Sequence, residues 1–145
     1  METILVVDDE ADVRGLARDA LLAKGYEVLE AGDGQEAIRL AEARAAPIHL
    51  LLTDVVMPGL NGVELGGRLT RQRPDMKVLY MSGFAVIGAQ QEQLAGPGLE
   101  PGAPILPKPF DAEALTRKVQ EVLARPVPSR SPFSRARPRP EQWWP

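Results

Sequence analysis

The feature that most constrains this chain is an alternation. Short apolar runs, each closed by a polar or charged residue, are separated by stretches whose apolar residues recur at helical spacing. Ile4-Leu5-Val6-Val7 is rich in β-branched residues and is broken by Asp8-Asp9, as expected of a parallel strand buried on both faces. Val13, Leu16, Ala17, Ala20 and Leu21 then follow a helical period until Gly25, a natural helix stop. The pattern repeats with a strand over Tyr26–Ala31 and a helix opened by Asp33-Gly34-Gln35-Glu36, which has the form of a capping box. A third apolar run, Ile48 to Asp54, leads through Met57-Pro58-Gly59-Leu60-Asn61-Gly62 into a short helix over Val63–Gln72. Lys77–Ser82 supplies a fourth strand. Ile105-Leu106-Pro107 supplies a fifth, before a helix from Asp111 to Ala124.

Strands alternating with helices call for a mainly parallel sheet covered on both faces by right-handed crossovers. Pro107 has no amide hydrogen for a ladder bond, which places the fifth strand at the sheet edge. Between the fourth and fifth strands the pattern weakens. Gln90–Leu94 can form a short helix, but Gly96-Pro97-Gly98 and Pro101-Gly102 prevent a long one.

Size and charge narrow the possibilities further. The chain has 145 residues, the size of one ordinary domain. It lacks an apolar run near the ~20 residues of a membrane helix and a basic leader before an apolar segment. With no cysteine, disulfides, thiolate metal sites and a cysteine nucleophile are excluded, in keeping with a cytoplasmic protein. Residues 1–124 carry 12 Lys and Arg against 19 Asp and Glu, a net of −7, whereas residues 125–145 carry five Arg against one Glu, a net of +4. The domain is therefore assigned to residues 1–124. The proline- and arginine-rich remainder, 125–145, has no apolar periodicity and is expected to be an unstructured tail.

In open α/β sheets, ligands gather beyond the carboxyl ends of the strands. Those ends here carry Asp8 and Asp9, Asp54, Ser82 and Lys108. Crowded carboxylates repel one another, and a hard divalent cation with oxygen ligands, such as Mg²⁺, resolves that repulsion better than protonation. With phosphoryl oxygens neutralised by Mg²⁺ and Lys108, Asp54 could attack phosphorus and form an acyl phosphate, while Ser82 hydrogen-bonds the product.

Four segments carry a family likeness: Ile4-Leu5-Val6-Val7-Asp8-Asp9-Glu10, Leu51-Leu52-Thr53-Asp54 through Met57-Pro58-Gly59-Leu60-Asn61-Gly62, Met81-Ser82-Gly83 and Lys108-Pro109-Phe110. Together they resemble the receiver domain of two-component response regulators over residues 3–124, and particularly receivers attached to hybrid sensor histidine kinases. The resemblance implies a flavodoxin-like fold, a five-stranded parallel sheet in the order 2-1-3-4-5 with helices on both faces. It implies Asp54 as phosphoacceptor, Asp8, Asp9, Asp54 and the main-chain carbonyl of Val56 as Mg²⁺ ligands, Lys108 as the phosphate-holding cation, and a cis Lys108-Pro109 bond. It also implies a partner, a sensor histidine kinase or a histidine phosphotransfer protein, that donates the phosphoryl group.

Two departures from the family pattern bear on function. Ile105 stands three residues before Lys108, where receivers with an output switch usually carry an aromatic, so a relay or hybrid-type receiver is indicated. Val56 and Phe84 are apolar at positions where hydrolysis of an acyl phosphate needs an oriented water, which predicts slow self-dephosphorylation.

Rival readings were weighed. Each site residue alone reads more simply as a cap, turn or surface charge; their convergence on one rim reverses that. Gly32-Asp33-Gly34-Gln35-Glu36-Ala37 matches a dinucleotide fingerprint, but Asp33 and Glu36 put carboxylates where a pyrophosphate would sit. His49, the only histidine, has no second histidine with which to share a metal and is read as structural. A Mg²⁺-dependent phosphatase with an aspartyl nucleophile would carry a D-x-D strand signature, which is absent. A phosphorylation-independent binding module would have no need of both the acidic cluster and Lys108. The tail is too short for an output domain, nucleic-acid and membrane partners are not expected, and a monomer or weak dimer is.

Overall fold

The computed structural model describes residues 1–83 and 103–126. Phe84, the short helix expected at Gln90–Leu94 and the tail from residue 127 onward lie outside the described residues. Five strands, β1 (Thr3–Val7), β2 (Glu27–Ala31), β3 (Leu50–Asp54), β4 (Lys77–Ser82) and β5 (Ile105–Pro107), form one parallel sheet in the order β2-β1-β3-β4-β5. Helices α1 (Ala11–Ala23), α2 (Gly34–Ala43), α3 (Gly62–Gln72) and α4 (Ala112–Ala124) cover it. This is the expected fold and strand order.

The near-continuous apolar strands divide by parity, because successive side chains in a strand point to opposite faces. Leu5, Val7, Leu51, Val78 and Tyr80 face one way and pack with Ala37 and Ala41 of α2 and Leu65 and Leu69 of α3. Ile4, Val6, Leu50, Leu52, Leu79 and Met81 face the other way, onto Ala17 and Leu21 of α1 and Leu115, Val119 and Val122 of α4. Both faces are thus sealed, and polar chemistry is left to the strand ends. Pro107 lies on edge strand β5, opposite Ser82 of β4.

The element boundaries differ from expectation in instructive places. The third strand starts at Leu50 rather than Ile48, with His49 just ahead of it still bonded to both neighbouring strands and its carbonyl accepting from the Lys77 amide at 3.0 Å. Its Nδ1 accepts from the Thr3 amide at 2.9 Å and its own amide donates to the Thr3 carbonyl at 2.8 Å. The second strand starts at Glu27 rather than Tyr26, whose amide still turns back to Leu21. Gly25, at φ +93°, makes that turn, in a conformation a side chain would oppose. At α2, Asp33 caps the Glu36 amide at 2.8 Å, but Glu36 returns to the Gly32 amide at 2.7 Å, not to Asp33. A complete capping box closes instead at α3, where Asn61 and Glu64 exchange bonds of 2.8 and 3.1 Å. No helix among the described residues is long and apolar enough to cross a membrane.

Candidate functional site

The carboxyl ends of β1, β3 and β4 and the turn after β5 bring Asp8, Asp9, Asp54, Ser82 and Lys108 to one rim. Asp8 directly follows β1 and is fully buried, Asp9 is exposed, and Asp54 closes β3 at 7% exposure. One carboxylate oxygen from each of these three lies within 4.8 Å of the others. Lys108 reaches into the cluster, its Nζ 2.9 Å from Asp8 Oδ2 and 3.2 Å from Asp54 Oδ2. The Lys108-Pro109 bond is cis, as the family resemblance implied.

Two participants carried no role in the sequence reading. Glu10 Oε1 stands 3.4 Å from Lys108 Nζ, and the Glu10 amide donates to Asp8 Oδ1 at 2.8 Å. Arg14, one turn into α1, donates from Nη1 to the Asp8 carbonyl at 2.8 Å and pairs with Glu30 of β2. Glu10 was legible as a third acid in a row at a strand end. Arg14 was not, because its target is a main-chain oxygen.

Ser82 is buried beside this rim, and its Oγ has no hydrogen-bond partner among the described residues. Its carbonyl accepts from the Lys108 amide at 2.8 Å, which fixes the turn bearing the ammonium. A buried hydroxyl left without a partner is costly. Val56 lies in the bend two residues past Asp54 with its side chain 56% exposed. Behind that bend, the Gly62 amide bonds the Val55 carbonyl at 2.9 Å. A Cβ at Gly62 would lie 2.0 Å from the Asp54 carbonyl oxygen, so glycine is required for this close approach.

The electrostatics follow from burial and charge balance. Burial pushes the Asp54 carboxyl above its usual range, opposed by Lys108, and neighbouring Asp8 pushes it up further. Burial alone would lower the Lys108 ammonium, but its bond to Asp8 and the charges of Asp54 and Asp8 outweigh that and hold it above its usual range. One ammonium among this many carboxylates leaves a net negative site of hard oxygen donors, which suits a divalent cation.

A stability prediction follows from the sign at Asp54. A carboxyl raised by folding costs stability when ionised, and the cost disappears as pH falls through its folded pKa towards the unfolded value of about 4. Asp54→Asn is therefore expected to melt higher than the parent at neutral pH in metal-free buffer. The gap should narrow as pH falls, or as magnesium is added; melting curves across pH check it, and an Asn variant that melts lower at neutral pH would contradict it.

The dinucleotide-like segment is committed elsewhere. Asp33 and Glu36 spend their carboxylates on local amides, and Leu60 fills the space above Gly34, where a Cβ would meet it at 2.8 Å.

An open parallel sheet with an acid-and-ammonium cluster at its carboxyl rim defines a class of α/β proteins built for phosphoryl chemistry. The chain belongs to the response regulator receiver domain family, whose sequence profile matches residues 4–120; accepting a phosphoryl group is general to that family. It is 36% identical over 124 residues to the response regulator receiver protein CpdR of Brucella abortus, covering 85% of this chain and 98% of CpdR. It is 35% identical to the sensor kinase CckA of the same organism over 85% of this chain, but this spans only 13% of that kinase. Among solved structures, the receiver domain of the hybrid histidine kinase CckA superposes with a TM-score of 0.67 at 38% identity, covering 83% of this chain and 98% of that one. The chemotaxis protein CheY4 of Vibrio cholerae superposes with a TM-score of 0.70 at 30% identity, covering 84% and 98%.

Proposed function

We propose that this chain takes a phosphoryl group from the phosphohistidine of a sensor kinase or histidine phosphotransfer protein onto Asp54, as a cytoplasmic relay element. The observation that carries this reading is the bridging of Asp8 and Asp54 by Lys108 at the sheet rim. In the transfer, an Asp54 carboxylate oxygen bonds to phosphorus as the phosphorus–nitrogen bond breaks in line. The bonding pair returns to the imidazole nitrogen, which departs as a neutral ring when its other nitrogen carries the proton. Burial raises the energy of the Asp54 anion before attack, and Lys108 is placed to meet negative charge on the phosphoryl oxygens. Ser82 Oγ, without another partner among the described residues, is available to donate to one of those oxygens. Asp8, Asp9, Asp54 and the Val56 carbonyl would hold magnesium, which would supply further neutralisation of that charge. Incubation with a phosphorylated histidine donor should move one phosphoryl group per chain and then stop. Continuous turnover of small phosphate esters would contradict the reading.

Release of the group is expected to be slow. The exposed Val56 side chain is apolar and cannot orient an attacking water, and Phe84 is apolar too. Val56→Asn and Phe84→Glu should each shorten the acyl-phosphate lifetime, and both together by about tenfold or more. Phosphate-release time courses check this, and unchanged lifetimes would remove the shielding argument.

A further inference from the structure

Beside the acidic rim, and sharing Lys108 with it, lies a cavity of about 400 Å³. Val13 and Leu16 of α1 line it together with Pro109 and Phe110, and Glu10, Gly83 and Lys108 join them. Leu16 is 40% exposed, next to the buried Ala17, Ala20 and Leu21 of the same helix. The surface around this cavity is acidic. Asp9 and Asp12 are both exposed, and neither has an ion-pair partner among the described residues. The cavity is of the size that takes a small aromatic group, and its margin favours a cation.

One segment of this chain has both chemistries in the required order. Residues 127–145 carry Arg130, Arg135, Arg137 and Arg139, followed four residues later by Trp143-Trp144. We propose that this segment folds back over the domain, seats the tryptophan pair between Val13, Leu16 and Phe110, and lays its arginines along Asp9, Glu10 and Asp12. The reach is sufficient. α4 ends at the far side of the sheet, where Lys77 at the start of β4 donates from Nζ to the Leu123 carbonyl at 2.7 Å. The return path is about the length of this 13-residue helix, roughly 20 Å at 1.5 Å per residue. The sixteen or so residues before the tryptophans span about 50 Å in the extended form that proline favours. Prolines at 126, 128, 132, 138 and 140 also reduce the entropy lost on docking. Indole rings bury large apolar area at low rotamer cost, and arginine over carboxylates adds a salt-sensitive attraction.

The chain supplies its own probe. Trp143 and Trp144 are its only tryptophans, so tryptophan emission reads this segment alone, without phosphodonor or metal and independently of whether Asp54 is modified. Acrylamide quenching of the full chain should be about half that of a synthetic peptide of residues 127–145, or less, since seated indoles are shielded from solvent. Leu16→Glu, at a surface position, should restore peptide-like quenching. So should the triple change Arg135→Glu, Arg137→Glu and Arg139→Glu, which lies outside the folded domain. Quenching of the full chain equal to that of the peptide would overturn the proposal. Protection surviving both variants, or rising with protein concentration as docking onto a second copy would require, would overturn it as well.

Discussion

Gly62→Ala is expected to destabilise the domain more than any other single methyl addition at the site. The added Cβ would sit 2.0 Å from the Asp54 carbonyl oxygen and 2.9 Å from its carbon, and the obstacle is backbone rather than a side chain that could rotate away. Relief requires α3 to move off the end of β3. That movement would stretch the 2.9 Å bond from the Gly62 amide to the Val55 carbonyl and disturb the Asn61–Glu64 capping box beside it. Overpacking of this kind costs about 3 kcal/mol or more, a large share of the ~5–15 kcal/mol available to a domain. Chemical denaturation should show the unfolding free energy falling by that amount, and the surviving folded fraction should label poorly because Asp54 has shifted. Ala at position 67, by contrast, would meet nothing within 4 Å and should be tolerated. Equal stability of the two variants would contradict this account of the turn.

Lys108→Met is expected to have the second large effect, and for an electrostatic reason. Asp8 is fully shielded from solvent and has its Oδ2 paired only with Lys108 Nζ among the described contacts. Removing the cation leaves the Asp8 and Asp54 carboxylates facing each other without it, and breaking a buried pair in this way costs about 3 kcal/mol or more. The sign at Lys108 sets the pH window. Its ammonium is held above the usual range, so the stability it contributes is present below the unfolded value of about 10.4 and is lost as pH rises through the folded one. The methionine variant should therefore lose stability across neutral pH and regain part of it with magnesium, since a divalent cation replaces the missing charge by mass action. A variant that unfolds at the parent's denaturant midpoint, with or without magnesium, would show that the bridge contributes nothing.

Both effects originate in residues that differ in how well the sequence announced them. The alternation of apolar runs and helical segments was enough to place all five strands and the four described helices, most directly β1, β3 and β4, which are sealed on both faces and apolar almost throughout. Pro107 likewise marked the sheet edge. The acids and Lys108 were legible for a related reason, as charges at the ends of such runs have only the rim to occupy. The family likeness added the cis bond and the strand order. What stayed hidden was set by contacts between distant segments. The His49 imidazole took the Thr3 amide just ahead of the third strand, and Glu36 chose Gly32 over Asp33. Arg14 stabilises the site through a carbonyl, a group every residue carries and no pattern marks. The complete capping box at Asn61–Glu64 lies at the end of a proline- and glycine-rich loop, where an asparagine reads equally well as a turn residue.

The measurement that bears most directly on the central claim is intact-mass spectrometry of the full chain with a small phosphoramidate donor and magnesium. The parent should gain the mass of a single phosphoryl group, and Asp54→Asn should gain none while remaining folded. A parent chain that stays at its unmodified mass, or an Asn variant labelled as fully as the parent, would contradict the assignment of Asp54 as the phosphoacceptor.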